Sequence, residues 1–253
     1  MASEAELVDP FNQAFDRIKE GIKQAVEKFN ELVGKVKDKW WMFSLAGAAG
    51  AAAALYIKHG LDQCRDALEQ LIEKVNYAIE HQTPVLSLII ASYRWISQVE
   101  TPVSEMSTLV SRPENENLAK WTGDASTSYR IYKLPEQKGA VDDAVAKAQF
   151  ISKWLFTIAK SNVDYAIKMA EIVVKFVESL VALVVKAATV VGIAEAAGEL
   201  GDLAGQVVKD GFTLLSEIGK KLLNTLGDVR DLWSEVGNHS KLLGGKWPEA
   251  VVG

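Results

Sequence analysis

The chain is poor in the residues that most chemistry and most abrupt chain reversals require. It has one cysteine, Cys64, so no intramolecular disulfide can form, and that residue sits among apolar helix positions as a small hydrophobe does. Its six prolines lie at 10, 84, 102, 113, 135 and 248, which leaves the span between the last two open to very long helices. The three histidines, His59, His81 and His239, stand apart with no cysteine or acidic ligand set beside them. A metal site of standard spacing is therefore not expected. Neither a G-x-S-x-G nor a glycine-rich loop ending in Lys-Ser/Thr occurs, and Cys64 has no local signature of a nucleophile. Carboxylates are many, but they lie beside lysines, as in Glu27-Lys28 and Asp38-Lys39, the pattern of solvated helix faces. No catalytic residue and no cofactor is expected, and the chain reads as a non-enzyme. With a net charge of −5 and no basic stripe, a nucleic-acid partner is not expected either. The first nine residues are acidic rather than basic and then apolar, so an ordinary secretory signal is not expected.

What is abundant is helical periodicity. Across 253 residues the composition is 49% hydrophobic and 24% charged, enough to bury a core. Asp9-Pro10 reads as a helix start, an N-cap acceptor with proline in the first turn. Phe11, Phe15, Ile18, Ile22, Ala25, Phe29, Leu32 and Val36 then recur at alternating spacings of four and three, the seam of one helix packed along another. A second seam runs through Leu61, Cys64, Leu68, Leu71, Val75 and Ala78. The Thr83-Pro84 and Thr101-Pro102 pairs read as helix junctions on either side of a shorter apolar segment.

The longest seam is Ala148, Ile151, Leu155, Ile158, Asn162, Tyr165, Met169, Ile172, Phe176, Ser179 and Leu183, roughly 54 Å of helix at about 1.5 Å per residue. Asn162 in such a seam either fixes register or faces a water-filled gap. Gly192, Gly198, Gly201 and Gly205 mark either a bend or a close helix crossing. A last helix carries Val208, Phe212, Leu215, Ile218, Leu222, Leu226, Val229, Trp233 and Val236. No stretch alternates with period two for long enough to require a strand. The expected fold is all-α, an elongated bundle of long antiparallel helices forming one body over 1–253. A subdivision into an N-terminal hairpin (1–100), a second hairpin with the last helix (101–236) and a loose tail (237–253) is compatible with it.

Between Val110 and Gly139 the periodicity stops. A polar stretch from Ser111 to Asn117 leads into Trp121-Thr122-Gly123-Asp124-Ala125-Ser126-Thr127-Ser128-Tyr129-Arg130. Physically this is a helix–helix corner: glycine permits a tight backbone, tryptophan can plug the end of a helical layer, and Asp124 can cap the next helix. The string resembles the W-x-G-x-A…Y/F signature of the WXG family, small helical-hairpin substrates of type VII (ESX) secretion systems. The resemblance covers about ten residues directly and, by pattern, residues 100 to 197.

It implies a non-enzymatic protein without a cleavable signal, in which Trp121 and Gly123 form the turn between two long antiparallel helices. It also implies assembly with itself or with another helical secretion partner, with a secretion chaperone or ATPase as a further partner. The expected location is secreted or attached to the cell envelope. Because 120 residues precede Trp121, the chain looks like the longer ESX-associated substrates. The family's export signal, Tyr-x-x-x-Asp/Glu, finds its match in Tyr132-Lys133-Leu134-Pro135-Glu136, close after the tryptophan and interrupted by proline. Tyr132 and Glu136 are the candidate signal, and chance occurrence is the alternative.

A second reading rests on the 18 uncharged residues from Trp40 to Ile57, flanked by Lys39 and Lys58. Trp40, Trp41 and Phe43 at one end and Leu55 and Tyr56 at the other imitate an interfacial aromatic belt. The middle is alanine and glycine, which equally suits close helix packing. A membrane-active protein that inserts this hairpin is the alternative function, and a membrane the alternative partner.

Overall fold

The computed structural model describes residues 4–111 and 120–242, together with 245, 246 and 248. The architecture is all-α, with no strand among the described residues: α1 (Ala5–Leu45), α2 (Gly47–Glu80), α3 (Gln82–Trp95), α4 (Thr101–Ser111), α5 (Asp124–Ser128), α6 (Leu134–Lys186) and α7 (Val190–Gly237). Two π-turns, Ile96–Glu100 and Tyr129–Lys133, join α3 to α4 and α5 to α6. The chain groups into two compact units, one built from Ala5–Leu86 with Ser161–Lys221, the other from Ser87–Lys160 with the chain from Leu222 onward.

In the first unit α1 and α2 form one helical hairpin, and the C-terminal part of α6 with the N-terminal part of α7 forms another. Lys186 pairs with Glu199 and Lys168 with Glu217 across the α6–α7 hairpin, which fixes these two helices as antiparallel. The hairpins lie side by side, with α1 running parallel to α6: Gly21 meets Val173, and Lys35 Nζ donates to the Val184 carbonyl at 3.1 Å. Lys39 Nζ donates to the carbonyls of Ala187, at 2.9 Å, and Ala188, so an ammonium on α1 caps the C-terminal end of α6. Along the other side α2 meets α7, where a Cβ added at Gly60 would stand 2.6 Å from the Ala197 carbonyl oxygen.

The α1 seam is buried as its periodicity requires, except that Ile22 is only half-buried, and every residue of the α2 seam is buried. Two expectations fail. Helix α1 begins at Ala5, so Asp9 is not its cap, and Pro10 lies within the helix, removing the N–H that would otherwise bond to the Glu6 carbonyl.

The long seam of α6 is also displaced. Its buried line is Ala159, Val163, Ala166, Ala170, Val173, Val177, Leu180 and Val184, one residue beyond the expected line at each step, with Met169, Phe176 and Leu183 buried as well. Asn162, Tyr165, Ile172 and Ser179 are half-buried at its flank. A helix touched by α1 on one side and α7 on the other buries a stripe wider than a two-stranded seam. That stripe is centred where small side chains let the neighbouring backbones close in.

Of the four glycines from Gly192 to Gly205, Gly198 and Gly201 lie at a close crossing, Gly192 packs against the reversal, where a Cβ would strike the Lys186 carbonyl oxygen, and Gly205 has open space. The chain reverses earlier, at Ala187–Thr189, and α7 continues through Gly198 and Gly201. A Cβ at these two positions would stand 3.2 Å from the Tyr56 hydroxyl and 3.1 Å from Gln63 Oε1, both on α2. Further along α7, Trp233 is exposed rather than part of a buried seam. The side chains of Phe212, Leu215, Ile218, Leu222 and Leu226 lie outside the described residues.

The second unit is tied by polar contacts to α6. Trp95 Nε1 donates to the Ala148 carbonyl at 3.0 Å, and Tyr93 meets Phe156 edge to face. Lys138 and Ser107 both donate to Asp142, and these bonds, that from Lys138 first, hold its carboxyl below the usual carboxylate range. The buried Asp143 carboxylate lies 2.8 Å from Lys147 and 3.5 Å from Lys241, while Lys147 also donates to the Asn238 carbonyl at 2.7 Å. Gly244 and Trp247 lie outside the described residues.

The π-turns have a shared cause. Each is followed at once by a proline in the first turn of the next helix, Pro102 in α4 and Pro135 in α6. A proline ring presses on the carbonyl four residues back, here Gln98 and Ile131, and both of those residues sit inside the widened turns. The helical path therefore passes each proline without a break.

The Gly60–Ala197 approach sets the spacing of α2 and α7. Replacing Gly60 by valine is expected to lower unfolding free energy by about 1–3 kcal/mol from overpacking. Replacing Gly205, which has open space around its Cβ position, by alanine is expected to raise it by up to about 1 kcal/mol through helix propensity. Urea unfolding of the full chain followed by circular dichroism reads both, and a Gly60 variant as stable as the parent would refute the tight crossing.

Candidate functional site: the Trp-Thr-Gly corner

The corner is built from one backbone geometry that only glycine adopts with ease. Gly123 has φ 98° and ψ −179° and stands immediately before α5. A Cβ there would meet nothing within 4 Å, so the restriction is one of backbone conformation and not of space. The Gly123 carbonyl accepts two bonds from Thr127, from its N–H at 3.0 Å and its hydroxyl at 3.1 Å, closing the first turn of α5. Asp124 is the first helical residue rather than the cap, where its carboxylate faces the favourable end of the helix dipole.

The residues that follow fasten the tryptophan. The buried Ser126 hydroxyl donates to the Trp121 carbonyl at 2.6 Å, and Arg130 Nη2 reaches the same carbonyl at 3.4 Å. The Trp121 ring rests on that of Tyr129, with centroids 5.5 Å apart and planes tilted by 50°. The Tyr129 hydroxyl in turn donates to Gln137 Oε1 at 2.9 Å, linking the corner to the first turns of α6. Trp121 is 40% exposed.

Tyr132 and Glu136 follow on the same helical path. Tyr132 lies in the π-turn and is 63% exposed, whereas Glu136 lies in the first turn of α6, 3.3 Å from Lys133 Nζ. Ile131 is exposed beside Tyr132. The polar stretch 112–119 that leads into the corner lies outside the described residues.

The second set of candidates is not at this corner. The uncharged run is folded back on itself at Ala46-Gly47, where Gly47 takes φ 62° and a Cβ at Gly50 would strike the Phe43 carbonyl oxygen. Each limb is far shorter than the roughly 20 residues a bilayer span needs, and among the described residues no helix is long and apolar enough to cross a membrane. Phe43 is buried, while Trp40, Trp41, Leu55 and Tyr56 are exposed.

Several residues had no signal in the sequence. Ser126 and Gln137 find their partners only once α5 and the π-turn set their direction. Lys39 as a cap for α6 follows from hairpin register. Among the described residues no group of three or more His, Cys, Asp or Glu side chains is placed to hold a metal ion. Burial pushes the Cys64 thiol up to about 12, so it stays protonated in the folded chain. No family model, no curated protein and no solved structure matches the chain.

Gly123→Ala is expected to destabilise the chain by about 1–3 kcal/mol through its backbone conformation. Ser126→Ala is expected to cost about 0.5–1.5 kcal/mol through the lost bond to the Trp121 carbonyl. Thermal unfolding of the two variants beside the parent measures both, and an unperturbed Gly123→Ala protein would mean that the corner does not need its left-handed residue.

Proposed function

We propose that this chain is a non-catalytic helical protein exported by a type VII (ESX-like) secretion system, which acts by assembling with itself or with a helical partner. One observation carries the reading: three of the residues shared with the family signature, Trp121, Gly123 and Tyr129, take part in one local structure. Gly123 takes a positive φ immediately before α5, Trp121 and Tyr129 hold each other, and the helical path runs on into the long α6. The exposed faces of Trp121, Ile131 and Tyr132 support a role in recognition, with a partner helix, a secretion chaperone or a secretion ATPase as the reader. In this reading Tyr132 and Glu136 form the export signal, and the protein acts outside the cell or at its envelope.

The test is export from a host that carries such a system. Trp121→Ala and, separately, Tyr132→Ala/Glu136→Gln are each expected to reduce the protein in culture filtrate about ten-fold, with the cell-associated level maintained. Circular dichroism and unfolding of the purified variants separate a lost signal from a lost fold. Undiminished export of both folded variants would overturn the assignment, as would export of the parent from a host whose secretion ATPase has been deleted.

A further inference from the structure

The end of the first unit at which its two hairpins turn gathers exposed apolar and aromatic side chains. Lys39 Nζ on α1 donates to the carbonyls of Ala187 and Ala188 at the α6–α7 turn. Beyond Lys39, α1 continues six residues, about 9 Å of helix, to Leu45 before turning. On the α1–α2 tip Trp40, Trp41, Leu45, Ala46, Ala48, Ala49, Ala51 and Ala52 are exposed. Around its base Leu55, Tyr56, Val185 and Val191 are exposed as well, the last two at about 70% of their surface. No charge interrupts the run from Trp40 to Ile57.

Charge gathers just behind this cap. Residues 35–58 and 181–194 together hold five lysines, at 35, 37, 39, 58 and 186, against the single Asp38, a local balance of +4 in a chain whose net charge is −5. Lys35 and Lys186 pair with Glu31 and Glu199, and Lys39 donates to two carbonyls, while Lys37 and Lys58 are exposed.

We infer that this double-hairpin tip is an interfacial membrane-docking surface, which seats its Trp40–Leu45 segment in the headgroup–acyl boundary of an anionic phospholipid bilayer. Three features select that occupant. The Trp40–Leu45 segment, about 9 Å of helix, is of the length of a roughly 5–10 Å interfacial wedge and falls far short of a span. Tryptophan and tyrosine are the side chains whose amphipathic rings favour the boundary layer. The exposed lysines 37 and 58 beside the apolar cap complement anionic headgroups, whereas a second copy presented tip to tip would bring like charge against like. The surface shares no residue with the Trp121 corner, and it can fail without touching the export reading.

The experiment uses the purified full chain. Flotation with phosphatidylcholine vesicles containing phosphatidylglycerol is expected to carry the protein upward, and phosphatidylcholine alone to carry much less. Trp41→Ser/Leu45→Ser, two exposed positions, is expected to weaken partitioning about ten-fold or more with the helical content unchanged. An environment-sensitive dye on Leu45→Cys, with Cys64 buried and protonated, is expected to shift to the blue on anionic vesicles and to be quenched by shallow rather than deep lipid quenchers. Absence of flotation on the anionic vesicles, or equal flotation on both, would overturn the inference. So would flotation that survives the double substitution, or a substitution whose only effect is to convert a sedimenting oligomer of the chain to monomer.

Discussion

The close approach of α2 to α7 at Gly60 and Ala197, and of α1 to α6 at Gly21 and Val173, governs the four-helix unit. At both places a side chain on the glycine would have to displace its neighbour, so the helices sit where only hydrogen fits. Everything along those helices inherits that spacing. Ala159, Ala166, Ala170, Ala196 and Ala197 are buried because a larger side chain would push apart what the glycines bring together. The larger hydrophobes, Phe11, Ile18, Leu32, Phe176 and Leu180, fill the space left between the crossings, and each adds about 1.5–3 kcal/mol by leaving water. The same spacing carries Lys39 to the carbonyls at the end of α6.

How much of this could be read from residue order depends on how many neighbours each helix has. The Phe11–Val36 and Leu61–Ala78 recurrences identify the buried faces of α1 and α2 because their large apolar residues occupy a single phase. In α6 two phases are open, since Met169, Phe176 and Leu183 serve either, and the choice falls to alanines that a hydrophobic periodicity weighs lightly. Trp233 misleads in the opposite sense: its size suggests a seam, yet it is exposed.

The corner was legible at Gly123 and opaque around it. A glycine followed by a short polar string announces a reversal. That Trp121 rests on Tyr129, and that Ser126 bonds the Trp121 carbonyl, depends on a five-residue helix and a π-turn whose geometry no spacing rule supplies. The apolar run was visible as composition, but its second half-partner, the exposed valines at the α6–α7 turn, lies some 140 residues away in sequence and joins it only through packing.

The division of the chain into units also bears on the order of synthesis. The first hairpin leaves the ribosome complete by residue 86, but the helices that cover its glycine-marked faces begin at residue 161 and end near 221. Until then α1 and α2 hold each other through one face, with Gly21 and Gly60 uncovered. Chain closure over the intervening 74 residues carries only the slow logarithmic entropy of a long loop, so delay rather than thermodynamic cost is what the nascent hairpin must withstand. A segment that waits half-covered for most of its own translation is a natural client for any helix-binding factor present in the cytosol.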